Sequence, residues 1–374
     1  MVMNNLYAVG PLNVKVSGTD KIVSLLKEEF SNSNFEGVAD LEICVHENKV
    51  DAYKPTHFSG KGNMNFNANE FHVDINPFYY YEVSNAFNDG VMKVNIFLKR
   101  AGFAREAFRF LKSVLSVEYG SRAAYVKGEI ASYSLLWSVV ALCLLKNGHS
   151  FIHAGVLARN DKAIVLSGTG GCGKTSTVLN LLSNEGFQYL SEDFGIVSSE
   201  KAAYPCMKTV SLYRSDVDHG DPAAVNAVKA LATSKKVRWD FLTKVIKANP
   251  IIKASPKSLT KLAIPSERVP LVYGIHLSRQ DIASFELKEI SVQEYAQRSA
   301  NASGRELKPL SEILKLIAAN SPKEYAVWSD GDLMQKLQDM YVNSFSGATT
   351  YELTVPYQSG PKEVCAFLLD KLAI

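Results

Sequence analysis

The chain has no apolar run long enough to cross a bilayer. Its most hydrophobic stretch, Ser134 to Leu145, falls short of the roughly 20 residues a spanning helix needs. It reads instead as a buried helix stopped at Lys146-Asn147-Gly148. The chain also lacks a cysteine framework. Cys44, Cys143, Cys172, Cys206 and Cys365 are odd in number, scattered and without metal-ligand spacing, which points to a reducing, cytoplasmic setting. It lacks a surplus of one charge: the net value of +3 is too small to argue for nucleic acid. Met1 to Gly10 shows no basic start followed by an apolar core, so no secretory leader is expected. There is no internal repeat, no low-complexity tract and no guanine-reading Asn-Lys-x-Asp pattern. Neither a nucleic-acid partner nor a membrane partner is expected.

What the chain does have is a phosphate-binding pattern. Gly168-Thr169-Gly170-Gly171-Cys172-Gly173-Lys174-Thr175 reads G-x-x-x-x-G-K-[ST], after the apolar run Ala163 to Leu166 and before helical spacing through Leu182. Successive glycines let backbone N–H groups curl toward phosphates, and the helix that follows presents its positive end. Lys174 would reach the β- and γ-phosphates, and the Thr175 hydroxyl would ligate Mg²⁺, with Ser176 next in line. Cys172 fills a variable loop position.

At 374 residues the length suggests about two domains. Residues 1–125 read as an N-terminal α+β module, with alternation at Leu41, Ile43, Val45 and at Phe71, Val73, Ile75. A further strand is expected over Val91 to Leu98, and helical spacing at Ile22, Leu25, Leu26 and at Phe108, Leu111, Leu115. The run Phe78-Tyr79-Tyr80-Tyr81 reads as strand and core. Residues 126–374 read as the nucleotide-binding part. Strands are expected over Phe151 to Leu157, Phe187 to Leu190, Phe194 to Val197, Thr209 to Tyr213 and Leu271 to Leu277, with a tight turn at Asn160-Asp161. Helices are expected near Leu310 to Ile317, Leu333 to Met340 and Lys362 to Leu372. A basic insertion at about 233–268 is either a lid or docking surface or a solvated helical face.

Four features fall close together: His153, the loop, the acid pair Glu192-Asp193, and Arg214. Phosphoryl transfer needs such groups: a phosphate cradle, a metal site, a base for the attacking hydroxyl and positive charge. Neighbouring acids on a regular strand face opposite ways, but at a strand end a bend can bring both to one site. One would hold Mg²⁺ with Thr175 and the other would act as base.

His153-Ala154-Gly155-Val156, the loop, and Gly186-Phe-Gln-Tyr-Leu-Ser-Glu192-Asp193 together resemble the HPr kinase/phosphorylase family, which shares its core with phosphoenolpyruvate carboxykinases. The resemblance covers about residues 150–197. It implies an α/β (α+β overall) fold with a P-loop core on a mixed β-sheet and a separate N-terminal α+β domain. It also implies ATP and Mg²⁺ as cofactors, and His153 assisting the catalytic acid. The first acid would be the base and the second would support the metal site. This sequence has Glu192 where the family has Asp. The family forms assemblies, so a homo-oligomer is one open outcome. The expected activity is transfer of the γ-phosphate to a hydroxyl, on a serine of a peptide or protein or on a small metabolite. The alternatives are an NTP-hydrolysing switch and a non-catalytic nucleotide-binding scaffold.

Overall fold

The computed structural model describes residues 5–18, 26, 30, 37–46, 64–66, 70–74, 79–99, 127–183, 186–218, 222–259, 264–265, 267–320 and 330–372. The helix expected over Phe108, Leu111 and Leu115 lies outside them, as do Ile22, Leu25, Ile75, Phe78 and Lys261. The chain is mixed α/β and divides into two compact units. The first is Met1–Asn147 with Leu307–Leu333, and the second is Gly148–Glu306 with Met334–Ile374. The helix Leu136–Lys146 and the segment 307–333, read with the nucleotide region at the sequence level, thus group with the first unit.

The first unit is built on a seven-stranded mixed sheet. Its strands are β1 (Asn5–Val9), β2 (Leu12–Gly18), β3 (Leu41–His46), β4 (Met64–Phe66), β5 (Glu70–Val73), β6 (Tyr79–Ser84) and β7 (Met92–Leu98), in the order β1-β2-β3-β7-β6-β5-β4. The period-two alternation sets one inward row across three parallel strands. Val14, Leu41 and Met92 stand in register, as do Val16, Ile43 and Val94, and all six are buried. Tyr79, Tyr80 and Tyr81 lie on β6 and are buried, with Tyr80 stacked on Phe97 at 4.7 Å. The helix Leu136–Lys146 is buried from Leu136 to Leu145, as its unbroken apolar run requires. Its C-terminal Lys146 ammonium donates to the carbonyls of Asn85 and Gly90.

The second unit holds nine further strands on one sheet system, and a separate two-stranded ribbon. The first strands are β8 (His149–Ile152), β9 (Ala154–Arg159), β10 (Lys162–Ser167), β11 (Gln188–Ser191), β12 (Gly195–Ser198) and β13 (Ala202–Tyr204). The ribbon pairs β14 (Val210–Tyr213) with β15 (Ile251–Ala254). Then come β16 (Val269–Gln280), β17 (Glu286–Glu289) and β18 (Thr349–Pro356). The twelve-residue β16 is the axis: it runs parallel to β10 on one side and to β18 on the other. β10 is buried from Ala163 to Ser167, and such continuous apolar runs mark parallel strands covered on both faces. Asn160 and Asp161, both at positive φ, close the two-residue hairpin from β9 into β10.

One sequence expectation changes here. The strand expected over Phe151 to Leu157 is two strands, broken at His153, with β8 pairing β12 and β9 pairing β10 and β11. The His153 amide leaves the ladder and donates to Ser303 Oγ at 2.9 Å. The helix Lys174–Leu182 packs on β9, where a side chain at Gly155 would collide with Val178. On its other side lies the helix Pro361–Leu372, through Cys365 Sγ on the Thr177 carbonyl. The helices expected near Leu310, Leu333 and Lys362 are present as Lys308–Asn320, Asp330–Phe345 and Pro361–Leu372. Among the described residues no helix is long and apolar enough to cross a membrane.

Candidate functional site

The loop Gly168–Gly173 joins the C-terminal end of β10 to the N-terminus of the helix Lys174–Leu182. Its curl depends on residues that carry no Cβ. Gly168 sits at φ +146°, and a Cβ there would lie 2.5 Å from the Leu277 carbonyl oxygen and 2.9 Å from Cys172 Sγ. Gly171 and Gly173 also have positive φ, and Thr169, Gly170 and Gly171 are exposed. Lys174 is buried, and its ammonium donates to the carbonyls of Gly168 (2.7 Å) and Thr169 (3.0 Å), which holds it against the loop. Cys172 is buried, 3.9 Å from that ammonium.

The acid pair reaches the loop because β11 does not end regularly. Its register against β9 slips between Tyr189 and Ser191, a bulge that re-aims the strand end. Asp193 then takes φ +66° and the Phe194 amide donates to the Glu192 carbonyl, a tight positive-φ γ-turn. Such a backbone is strained for a non-glycine residue and survives only where surrounding contacts hold it. Here they do, and the turn sends the two carboxylates apart.

Glu192 is buried and accepts the Thr175 hydroxyl at the start of the loop helix. Burial, followed by the charge of Asp193, pushes its carboxyl up to about 7, against the opposing pull of the Thr175 hydrogen bond and of Lys208 and Lys174. Asp193 is half-buried between two cations or potential cations. Lys208 Nζ donates to Oδ2, and His153 Nδ1 stands 3.2 Å from Oδ1. Burial alone would raise the Asp193 carboxyl, but Lys208 and His153 outweigh it and hold it well below the usual carboxylate range. His153 Nε2 is buried and has no hydrogen-bond partner among the described residues.

Two more carboxylate and guanidinium contacts complete the surroundings. Asp216 is buried and accepts Ser176 Oγ at 3.2 Å and the Tyr213 amide at 2.8 Å. Arg279, near the end of β16, donates Nε to the Cys172 carbonyl at 3.0 Å and Nη1 to the Ser359 carbonyl at 2.9 Å, so it pins the loop to the turn after β18. Behind the loop, Ser167 Oγ lies 3.2 Å from His276 Nδ1. Burial and then Arg298 push His276 down to about 4, which leaves it neutral near pH 7.

The structure therefore brings together the loop, Lys174, Thr175, Ser176, Glu192, Asp193 and His153. Arg214 is placed otherwise: it pairs with Asp218 at 3.1 Å and donates to the carbonyls of Thr243 (3.0 Å) and Ala248 (3.3 Å). Sequence reading missed Lys208, Asp216 and Arg279. The available signals were a lysine shortly after the acid pair, an aspartate two residues past Arg214 and an arginine at the end of a buried strand. Among the described residues no group of three or more His, Cys, Asp or Glu could hold a metal ion unaided. Chemically the site offers turned-in amides, an ammonium, a hydroxyl–carboxylate pair and a separate ionised carboxylate with an adjoining imidazole. No protein-family model matches the chain, and no curated protein matches it.

Proposed function

We propose that the chain is an ATP- and Mg²⁺-dependent phosphotransferase of the HPr-kinase-like kind, acting on a hydroxyl group of a peptide, protein or small molecule. The observation that carries this reading is the contact of Thr175 with Glu192 at the start of the helix that follows a complete glycine loop. The residues fit the cofactors: the loop has exposed glycines where a polyphosphate would lie, and the buried carboxylate faces the hydroxyl that would share a cation. Bound nucleotide and Mg²⁺ would supply the transferable phosphoryl group and neutralise its charge.

The chain's own residues do the rest. The loop amides and Lys174 orient the phosphates, and Thr175 with Glu192 holds the cation side. Asp193 stays ionised through Lys208, accepts the hydrogen bond of the acceptor hydroxyl and then takes its proton, while His153, with Nδ1 3.2 Å from Oδ1, holds that carboxylate in place. A loose transition state asks little basicity of that carboxylate, so an aspartate held well below the usual range still positions the nucleophile. This reverses the order of roles that the family resemblance implies, because it is the first acid that touches Thr175. The five cysteines are free thiols, in keeping with a cytoplasmic setting.

The test is label transfer from γ-labelled ATP in Mg²⁺ to a cell extract, a serine-peptide pool and a metabolite pool. The expected result is label in an acceptor, abolished by Lys174→Ala and by Asp193→Asn. Label released only as free phosphate would replace this reading with that of an NTP-hydrolysing switch.

A further inference from the structure

Six of the eight exposed large hydrophobic side chains among the described residues fall between Tyr213 and Ile251. Val237 (64 % exposed), Phe241 (48 %) and Val245 (65 %) repeat every four residues along the helix Thr233–Asp240 and the π-turn Phe241–Val245 that continues it. A four-residue step over-rotates in an α-helix, and the wider π-turn, closed by the Ile246 amide on the Phe241 carbonyl, brings Val245 back toward the same line. Trp239 and Leu242 occupy the opposite, buried face, so the exposed row is not a misplaced core. A cavity of about 500 Å³ opens on the Trp239 and Thr243 side of the same segment, lined also by Arg214, Asp218, Lys244 and Lys247 and by none of the three row residues.

The segment that carries this row is basic, and Lys236, Lys244 and Lys247 are exposed on it. Residues 233–259 carry seven Lys and Arg against one Asp. That Asp240 is paired with Lys244 at 2.9 Å, and the nearby Asp218 with Arg214. Lys236 and Lys247 are exposed and have no ion-pair partner among the described residues. The row is also tied to the loop helix. Arg214 grips the carbonyls of Thr243 and Ala248, and two residues on Asp216 holds Ser176.

We propose that this face docks the acceptor polypeptide through a segment with apolar side chains at helical spacing flanked by Asp and Glu. The inference rests on the phosphotransferase reading above and names the class of its acceptor. The row from Val237 to Val245 runs on the order of 12 Å, longer than a metabolite needs. A second copy of the chain would set like charges against each other, and a nucleic-acid backbone would leave the apolar row uncovered.

The test uses the full chain and three fluorescein-labelled helical peptides, read by anisotropy. One has Leu at four- and three-residue spacing with Glu elsewhere, one replaces Glu by Lys, and one replaces Leu by Ser. The Glu/Leu peptide is expected to bind and the other two at least tenfold more weakly. Phe241→Ser, Val245→Ser and Lys247→Glu should each weaken the Glu/Leu peptide about tenfold while leaving the thermal midpoint and the affinity for fluorescent mant-ATP unchanged. Equal binding of the three peptides, or no effect of the variants, would overturn the proposal. So would a dimer in sedimentation velocity that Phe241→Ser dissolves, or Phe241-dependent binding to anionic phosphatidylserine vesicles without peptide discrimination. If mant-ATP does not bind the wild type but the peptides are still discriminated, the docking face stands and the phosphotransferase reading falls.

Discussion

The hydroxyl of Thr175 donates to the carboxylate of Glu192, and so joins the first turn of the loop helix to the residue that follows β11. The carboxylate is buried, and its pKa lies at about 7 against an ordinary 4.5. The folded chain therefore holds a proton that the unfolded chain releases between those values. This group favours folding most below pH 4.5, and the contribution is lost as pH rises through 7. Glu192→Gln in Mg²⁺-free buffer should raise stability at pH 8 by up to about 3 kcal/mol, at 1.36 kcal/mol per pKa unit, and by little at pH 5. Thermal denaturation at the two values checks this; an equal shift at both would remove the burial argument.

Asp193 carries the opposite sign. Held well below its ordinary 3.8 by Lys208 and His153, against the effect of burial, it contributes stability that is present above that value and fades as pH falls toward the folded pKa. Lys208→Met leaves the carboxylate without its strongest partner. Because Asp193 is half-buried, the cost should lie between the exposed and buried limits, about 2 kcal/mol at pH 7. The pair Lys208→Met/Asp193→Asn should cost less than the sum of its parts in a urea-denaturation cycle. Additive costs would mean that the two side chains do not interact.

The loop was legible because its physics is local. The glycines between Gly168 and Thr175 announce the curl by residue type alone, and the apolar strand before them and the helix after them show in the periodicity. The hairpin at Asn160-Asp161 was legible for the same reason. The break at His153 was not, since its amide partner, Ser303, lies 150 residues away. Lys208 was hidden because a β-bulge and the positive-φ turn at Asp193 decide where the acids point, and Asp216 because its partner Ser176 lies 40 residues away. The partners of Arg214 were not legible either: it follows β14 and opens the next helix, where its guanidinium pairs with Asp218 and donates to the carbonyls of Thr243 and Ala248, some thirty residues on.

Two glycines of the loop should respond differently to the same methyl group. At Gly168 the added Cβ meets the Leu277 carbonyl and Cys172 Sγ at a backbone angle that L-residues avoid, whereas at Gly170 it meets nothing within 4 Å. Gly168→Ala should cost about 1–3 kcal/mol and abolish mant-ATP binding. Gly170→Ala should leave the thermal midpoint within a degree or two of wild type, an effect below about 0.5 kcal/mol. Equal destabilisation would show that the loop is not held against β16 in solution.

Arg279 offers the last check, because it tests whether the loop is set by its own glycines or by the strand beside it. Its fork reaches the Cys172 carbonyl through Nε and the Tyr357 and Ser359 carbonyls through Nη1. A lysine carries one compact ammonium and cannot span both groups of acceptors. Arg279→Lys should therefore keep the charge but release one anchor, and leave carbonyls unsatisfied at a cost of about 1 kcal/mol. Binding of mant-ATP and of inorganic tripolyphosphate should both weaken about tenfold, since the loop amides lose a fixed direction. Wild-type affinity for both probes would mean that the glycine loop holds its shape alone and that Arg279 serves only the turn after β18.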